Sequence, residues 1–438
     1  MVDTQPPFDA SSPLWADLSP VYQQECDSPL CPILYDPKYS KAMDLFRALT
    51  LKPEYSARAL ALTTHLIRLN PSNYSLWAFR ARILLSESEA HQAPMTDDAF
   101  VLPLSTSLRE RLAQELDFMD VLAKENMKNY QVWQHRKVVV AELSKCVAVS
   151  HATHTADAQP STAAQAEEEE WKQAAARELY FVAQTLSQDA KNYHTWAYRQ
   201  WVLCHFGGLP DKRGYDAAQE AVSGSMTAIR RATARSVWAG ELAYVEMLLD
   251  ADLRNNSAWN HRFFTLFASG RAASDDTIAS STPAAAAPDA AALEPEVRMV
   301  LSEVEYVQSK LRIARNNCSA WNYLRGIVQR LFSDGSPGGS TDGSCQPSAR
   351  RELATQIRKE VDAFAHSLIP EVPEARGQDV PLALEWLLDS AELELTTCGP
   401  TRSRRLIAEA EEIIKRIKIA DPMRTRYWEY RRAGFRAA

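Results

Sequence analysis

Two short segments place a lysine together with an amide or an imidazole around an asparagine. In the first segment Lys128 and Gln131 flank Asn129. In the second segment Lys191 and His194 flank Asn192. Each asparagine is typical of a helix start, where free backbone amides and the helix dipole favour anions. Side chains of these types at two adjacent helix starts can bind a diphosphate or a carboxylate. Read from periodicity alone, the alternative of a solvated lysine in a turn stays open.

Both segments are copies of a repeat built around tryptophan. An asparagine four residues before a tryptophan occurs in five copies, which contain Trp77, Trp133, Trp196, Trp259 and Trp321. A degenerate sixth copy surrounds Trp428. In four of the six copies the asparagine, the tryptophan and an arginine three residues after the tryptophan all recur. We expect the tryptophans to fill the space between stacked units and the asparagines to cap helices. The arginines are expected to be buried and paired with acids such as Asp117 or Glu178 rather than to contact a ligand.

Consecutive tryptophans of the five main copies are 56 to 63 residues apart, which is too long for a compact helical pair. Segments 146–170, 269–295 and 333–348 are rich in small and polar residues, and we interpret them as inserted flexible loops. If these inserted stretches of about 20 to 27 residues are left out of each interval, the repeat period is roughly 35 to 38 residues, close to that of tetratricopeptide-type hairpins.

Helical periodicity supports this interpretation on both sides of the motifs. It predicts a helix before each main motif, at 55–70, 109–125, 168–187, 236–250 and 296–314. Two further pairs are predicted at 350–368 with 382–395 and at 401–419 with 424–436. The predicted fold is therefore all-α, a right-handed superhelical, crescent-shaped α-α solenoid of about seven antiparallel hairpins. It forms a single domain over residues 1–438, with an extended N-terminal segment at 1–38.

Composition limits the classes of function. The net charge of −7 argues against nucleic acid as a main partner, and no run is apolar enough for a transmembrane segment. Residues 1–10 lack the apolar core of a signal peptide. The seven cysteines form no CxxC pair and have no zinc-ligand spacing with histidine. We therefore expect a cytoplasmic protein with free thiols and no metal site of its own.

The motif set resembles the repeats of protein prenyltransferase α subunits, and most of all the α subunit shared by protein farnesyltransferase and geranylgeranyltransferase type I. The resemblance begins at Trp15-Ala-Asp-Leu-Ser-Pro20 and includes Met127-Lys-Asn-Tyr-Gln-Val-Trp133 and Asp189-Ala-Lys-Asn-Tyr-His-Thr-Trp196. It continues through Arg254-Asn-Asn-Ser-Ala-Trp-Asn260 and Ser319-Ala-Trp-Asn-Tyr323 to Tyr427-Trp-Glu-Tyr430. It covers nearly the whole chain apart from the loops.

The resemblance implies a heterodimer in which this chain wraps around a catalytic β subunit of α-α barrel fold. The β subunit would carry Zn²⁺ and most of the prenyl diphosphate pocket, and a Mg²⁺ requirement of the complex stays open. The zinc-bound thiolate of a C-terminal CaaX motif would attack C1 of the prenyl diphosphate. The modified proteins would be CaaX-terminated, such as Ras- and Rho-like small GTPases.

The resemblance also assigns roles to residues of this chain. Lys128 matches the lysine that approaches the diphosphate, and Tyr130 matches the tyrosine beside it. Gln131 matches the amide that binds the carboxylate of the CaaX peptide, and Arg136 matches a supporting arginine. The following repeat contributes residues that line the same edge, namely Asn192, Tyr193 and His194.

Two other functions remain open. The first is the α subunit of Rab geranylgeranyltransferase, against which stand residues 15–20, the match at 127–133 and the lack of a leucine-rich repeat region. The second is a non-enzymatic helical-repeat scaffold that binds peptides. A freestanding enzyme is disfavoured because the sequence contains no zinc-ligand set and no sufficient diphosphate motif.

Overall fold

The computed structural model describes residues 8–24, 27–86, 107–154, 162–208, 224–268, 295–332, 347–370, 379–395 and 400–437. These residues form helices and turns, and no strand occurs among them. Two 3₁₀ turns lie at Pro13–Trp15 and Pro422–Arg424. The helices are α1 (Pro37–Leu51), α2 (Ala57–Leu69), α3 (Tyr74–Leu85), α4 (Leu108–Glu125), α5 (Tyr130–His154), α6 (Thr162–Gln188), α7 (Tyr193–Gly207), α8 (Gly224–Trp238), α9 (Glu241–Ala251), α10 (Asn256–Ala268), α11 (Pro295–Ile313), α12 (Cys318–Phe332), α13 (Pro347–Ser367), α14 (Pro381–Leu395), α15 (Pro400–Ala420) and α16 (Thr425–Ala437).

The helices start where side chains can satisfy the free amides of the first turn. Asp36 accepts a hydrogen bond from the backbone N–H of Lys38 at the start of α1, where Pro37 occupies the first helical position. Ser56 caps α2 and Ser107 caps α4 in the same way. These local signals explain why helix starts could be predicted closely from the sequence.

The helices divide into two compact units by their packing, α1–α8 and α9–α16. In the N-terminal unit, α2 and α3, α4 and α5, and α6 and α7 form three antiparallel hairpins. The second helices of these hairpins pack on one another in the order α3, α5, α7, while α1 packs on α2. The core is apolar, with Leu62, Leu66 and Trp171 fully buried.

In the C-terminal unit, four hairpins pair α9 with α10, α11 with α12, α13 with α14 and α15 with α16. The second helices again pack in series, α10 on α12 and α12 on α14. Leu384, Leu388, Ile414 and Trp428 belong to the core of the last two hairpins. The described helices therefore form seven hairpins in all, and the predicted all-α solenoid of hairpins is confirmed.

The prediction of a flexible loop at 146–170 is wrong for most of that stretch. Helix α5 continues to His154 and α6 begins at Thr162, so only 155–161 fall outside the described residues. Val147 and Ala148 are buried, and Trp171 is fully buried next to the supposed loop. The reason is that alanine, glutamine and glutamate are strong helix formers, so the composition that suggested a loop also lengthens two helices.

The predicted helix 236–250 is also wrong, because it is two helices. Helix α8 ends at Trp238 and α9 begins at Glu241. Between them Gly240 has φ +83°, a left-handed conformation that glycine adopts without a steric penalty. The additional helix α8 packs against α5, α6 and α7, and the sequence analysis did not anticipate it.

The other two predicted loops lie almost entirely outside the described residues, which omit 269–294 and 333–346. Their last residues already belong to α11 and α13. The single domain over 1–438 stays a prediction.

Candidate functional site

Each of the five main tryptophans binds the turn that precedes its own helix. The indole Nε1 donates to the backbone carbonyl six residues earlier, at 2.8 to 2.9 Å, in the pairs Trp77–Pro71, Trp133–Met127, Trp196–Ala190, Trp259–Leu253 and Trp321–Arg315. A buried indole N–H needs such an acceptor. The bond closes the turn in each repeat, and in the second repeat this turn contains Lys128.

The motif asparagines are helix caps, as predicted. Asn129 Oδ1 accepts from the backbone N–H groups of Gln131 and Val132 at 2.9 and 3.4 Å. Asn192 Oδ1 accepts from the N–H of Thr195 at 3.1 Å. Because the caps occupy these amides, the capped N–H groups are not available to an anion.

Arg136 lies at the centre of a buried network. Its Nε and Nη2 donate to Glu178 at 2.8 and 2.9 Å, and its Nη1 donates to Asp120 at 2.7 Å. The guanidinium is fully buried, and its carbon lies 3.8 Å from the ring centroid of Phe181. The predicted pairing with Glu178 is therefore confirmed, and all three guanidinium nitrogens of Arg136 donate to carboxylates within the chain.

The predicted pairing of a motif arginine with Asp117 is wrong. Asp117 is exposed and accepts a hydrogen bond from Arg177 of α6 at 3.0 Å. The motif arginine of the first repeat, Arg80, instead binds Glu115, which precedes Asp117 by two residues on α4. Residues 115 and 117 point to different faces of α4, because successive helical residues are about 100° apart.

The same network recurs in other repeats. Arg80 forms two hydrogen bonds with Glu115, which also contacts Nε2 of His135 at 2.8 Å. Burial alone would raise the pKa of Glu115, but the charge of Arg80 and the hydrogen bonds from His135 and Arg80 lower it to about 2. In the C-terminal unit Arg262 binds Glu303, which accepts from the hydroxyl of Tyr323.

Sequence reasoning missed the third member of each network. It is the residue two positions after the tryptophan, namely His135, Tyr198, His261 and Tyr323. All four contact a glutamate on the first helix of their own hairpin, namely Glu115, Glu178, Glu241 and Glu303. A polar aromatic side chain at one fixed repeat position was the available signal.

Lys128 presents a largely free ammonium group beside the start of α5. Its side chain is 82% exposed, and its Nζ lies 3.9 Å from Oδ2 of Asp189, in the turn before α7. An ion pair of that length and exposure contributes roughly 0 to 1 kcal/mol. The ammonium group can therefore exchange the carboxylate for a stronger anion.

Tyr130 and His194 bring the two helix starts into contact. Their ring centroids are 4.3 Å apart at an interplanar angle of 87°, an edge-to-face arrangement. The ring centroid of Tyr193 lies 5.4 Å from that of His194, at an interplanar angle of 79°. Both tyrosines are mostly exposed, so their faces remain open to a ligand or a partner. Burial lowers the pKa of His194, which favours the neutral imidazole.

The two amide residues of the predicted site differ in their roles. Gln131 is half-buried at the first turn of α5. Asn192 is buried, with Oδ1 capping α7 and Nδ2 donating to Asp189 at 3.3 Å. Asn192 thus shapes the turn, whereas Lys128, Tyr130, Tyr193 and His194 present side chains at its surface.

The described side chains show no group of three or more histidine, cysteine, aspartate or glutamate residues that could hold a metal ion. Likewise, within the part of the chain that the structure covers, every helix is too short or too polar to cross a bilayer.

The chain matches the family described as "Protein prenyltransferase alpha subunit repeat" at residues 56–87, 112–143, 175–206, 238–269 and 300–331. These five stretches contain the five main tryptophans, each with most of the hairpin around it.

Named relatives agree with the family match. The "Protein farnesyltransferase/geranylgeranyltransferase type-1 subunit alpha" of Schizosaccharomyces pombe is 35% identical over 29% of this chain, and the match spans only 36% of that relative. The subunit of the same name from Candida albicans is 29% identical over 72% of this chain and 74% of its own length. "Geranylgeranyl transferase type-2 subunit alpha" of Rattus norvegicus is 26% identical over 63% of this chain and 35% of its own length.

A solved structure shares the fold of this chain. It is titled "Candida albicans protein geranylgeranyltransferase-I complexed with GGPP" and aligns with a TM-score of 0.59 at 23% identity, covering 99% of this chain and 100% of that one. The repeats and the named relatives agree with each other. The chain contains five copies of the protein prenyltransferase alpha subunit repeat.

Proposed function

We propose that this chain is the α subunit of a heterodimeric CaaX protein prenyltransferase. With a β subunit it would transfer farnesyl, or geranylgeranyl with a different β subunit, from the prenyl diphosphate to a cysteine thiol four residues from a protein C-terminus. The observation that carries the proposal is the contact between the starts of α5 and α7, where Lys128 reaches Asp189 and Tyr130 packs on His194. The named relatives and the family match support it.

In this reaction a sulfur–carbon bond forms at C1 of the prenyl group while the bond from C1 to the diphosphate oxygen breaks. The electron pair of that bond leaves with the diphosphate, so negative charge increases on the leaving group. Lys128 would stabilise this charge, since a positioned cation near a developing anion lowers the barrier. Neutral His194 would donate a hydrogen bond to the same group, and Tyr130 and Tyr193 would enclose it.

The remaining predicted residues have different tasks. Gln131 would bind the terminal carboxylate of the CaaX peptide through its amide. Asn192 and Arg136 are positioning residues, because their polar atoms are already used within the chain. They fix the turns from which the contacting side chains extend.

We assign Zn²⁺ to the β subunit, because the described residues of this chain contain no cluster of three or more metal-binding side chains. When bound, zinc would hold the substrate cysteine as a thiolate near neutral pH. The same proposal includes Ras- and Rho-like small GTPases as protein substrates and the cytoplasm as the site of action. Whether the complex requires Mg²⁺ is tested by measuring prenyl transfer with and without a chelator that removes Mg²⁺ but not Zn²⁺.

Coexpression with a prenyltransferase β subunit tests the proposal. The purified complex is expected to contain one copy of each chain and stoichiometric zinc, and to prenylate CaaX peptides ending in Ser, Met or Leu according to the β subunit. The α chain alone is expected to be inactive. Copurification with varied client proteins and no prenyl transfer would instead support a scaffold.

The β subunit that restores activity separates this function from the type-2 alternative. A complex active on CaaX peptides supports the present assignment. A chain that pairs productively only with a type-2 β subunit overturns it in favour of the Rab enzyme.

A further inference from the structure

An apolar segment near the N-terminus, residues 29–35, is exposed along its whole length. All residues from 27 to 36 are exposed. Leu30 and Leu34 are as accessible as in an extended peptide, at 105% and 95%, and Ile33 is 65% exposed. Contiguous exposed apolar side chains mark an interaction site far more often than single ones do.

The segment is held by the chain on both sides. Upstream, the N–H of Val21 donates to the carbonyl of Asp44 at 3.1 Å, and Nε of Arg47 donates to the carbonyl of Val21 at 2.7 Å. Downstream, Asp36 caps α1. Within the segment Pro29 and Pro32 restrict the backbone. A segment restrained in this way loses less conformational entropy when a partner binds.

A cavity of about 350 Å³ adjoins the segment. Its lining includes Tyr22, Tyr35, Tyr39, Met43, Arg47 and Asn73. The mixture of aromatic rings and polar groups suits an inserted side chain with an apolar body and a polar end. The exposed side chains of Leu30, Ile33 and Leu34 and the neighbouring cavity together form an apolar surface next to a pocket.

This surface is continuous with the edge that carries Lys128. The hydroxyl of Tyr39 accepts from Nδ2 of Asn70 and Asn73 at 3.2 and 3.3 Å, which ties the cavity to the start of α3. From there, Nδ2 of Asn129 donates to Oγ of Ser72 at 3.0 Å, which connects the start of α3 with that of α5. Hydrogen bonds through the start of α3 therefore link the cavity to the turn that carries Lys128.

We propose that residues 29–35 and the adjoining cavity form a docking surface for the β subunit, an inference that rests on the proposed function. The partner would supply an apolar groove for Leu30, Ile33 and Leu34 and one side chain for the cavity. A second copy of this chain is disfavoured as occupant, because each copy has a net charge of −7 and two copies repel each other.

The test uses the full chain with Leu30, Ile33 and Leu34 all replaced by Gln. Leu51→Gln is the matched control, since Leu51 is 71% exposed but lies at the end of α1, outside the segment. The wild-type complex is first shown to prenylate a CaaX peptide, which tests the proposed function separately. Binding of each variant to the immobilised β subunit is then measured, together with the Tm of the isolated chain.

We expect the triple variant to bind the β subunit at least tenfold more weakly, with a Tm like that of wild type, because the replaced side chains are exposed. At saturating β subunit its kcat should equal that of wild type. Affinity within twofold of wild type, when the wild-type complex is active, would overturn the docking surface and leave the proposed function intact. A wild-type homodimer that the triple substitution dissociates, without any change in β binding, would overturn it in favour of self-association.

Discussion

Arg136 of α5 and Glu178 of α6 form a buried ion pair in which two nitrogens donate to the two carboxylate oxygens at 2.8 and 2.9 Å. The pair joins the second helix of one hairpin to the first helix of the next. The hydroxyl of Tyr198 on α7 donates to the same carboxylate at 2.6 Å, so a single glutamate connects three helices. Replacing only one member of such a pair is strongly destabilising, because the other member is left as a buried charge without its partner.

Replacement of Glu178 by Gln is expected to lower the free energy of unfolding by about 3 kcal/mol, because it leaves the buried guanidinium of Arg136 with Asp120 as its only described carboxylate partner. Urea unfolding followed by circular dichroism measures this change. Asp117→Asn on the exposed face of α4 is the control, with an expected change within about 0.5 kcal/mol. A loss below about 1 kcal/mol for Glu178→Gln would contradict the role assigned to the pair.

Much of this architecture could be predicted from the sequence because its determinants are local. Caps such as Asn129, helical periodicity and one tryptophan per repeat define helix starts and hairpins without reference to distant residues. The helical character of 146–154 and 162–170 could not be predicted in the same way. Alanine and glutamate favour a helix, but the serine, threonine and histidine residues among them obscured that preference, and the burial of Trp171 is a tertiary effect.

The candidate site was predictable to a similar extent. The spacing of Lys128 and His194 from their caps indicated that both lie at helix starts. The contact between Tyr130 and His194 joins residues 64 positions apart, so no local pattern could show it. The use of the α5 amides by Asn129 also became visible only in three dimensions.

Lys128→Ala is expected to reduce kcat of the heterodimer on the order of 10²-fold, because it removes a cation that would stabilise the leaving diphosphate. Affinity for the β subunit should stay nearly unchanged, since the side chain is 82% exposed and makes one long ion pair. Lys191→Ala is a closely matched control, because Lys191 precedes Asn192 as Lys128 precedes Asn129. Equal rates for both variants and wild type would remove the role of Lys128.

His194 is expected to act as a neutral hydrogen-bond donor, because burial lowers the pKa of its imidazole. Replacement by Ala should raise KM for the prenyl diphosphate about tenfold, the equivalent of one hydrogen bond to a charged group. Replacement by Gln, which keeps a donor, should raise it less. If Gln and Ala were equally harmful and activity rose below pH 6, an imidazolium would be the acting species instead.

The stability of the chain is expected to fall between pH 7 and 5, partly because of His205. Burial, with Arg230 and Lys145 nearby, lowers the pKa of this histidine to about 3, against about 6.5 in an unfolded chain. In that interval the unfolded state binds more protons, so acid favours unfolding. The slope from this one group approaches about 1.4 kcal/mol per pH unit below pH 6.

His205→Gln isolates this contribution. The variant keeps a polar group near Ser144, whose hydroxyl lies 3.0 Å from Nε2 of His205, and it cannot take up a proton. Urea unfolding at pH 7, 6 and 5 should show a flatter dependence than wild type. His366→Gln on the exposed side of α13 is the control and should leave the slope unchanged. An identical slope for His205→Gln would mean that His205 does not resist protonation.

Trp133→Phe tests whether the hydrogen bond that closes the turn before α5 contributes to activity as well as to stability. Phenylalanine retains most of the aromatic packing but loses the hydrogen bond from Nε1 to the carbonyl of Met127, 2.8 Å long, which closes the turn containing Lys128. We expect a stability loss of about 1 to 2 kcal/mol, with a several-fold loss of kcat in the heterodimer.

Trp321→Phe is the matched control, since Trp321 makes the same 2.8 Å bond to Arg315 on a turn that carries no proposed site residue. It should show a similar loss of stability by urea unfolding and an unchanged kcat at a temperature where both variants are folded. If the two substitutions lowered kcat equally, the turn before α5 would have no special role. If neither did, closure of that turn would not position Lys128.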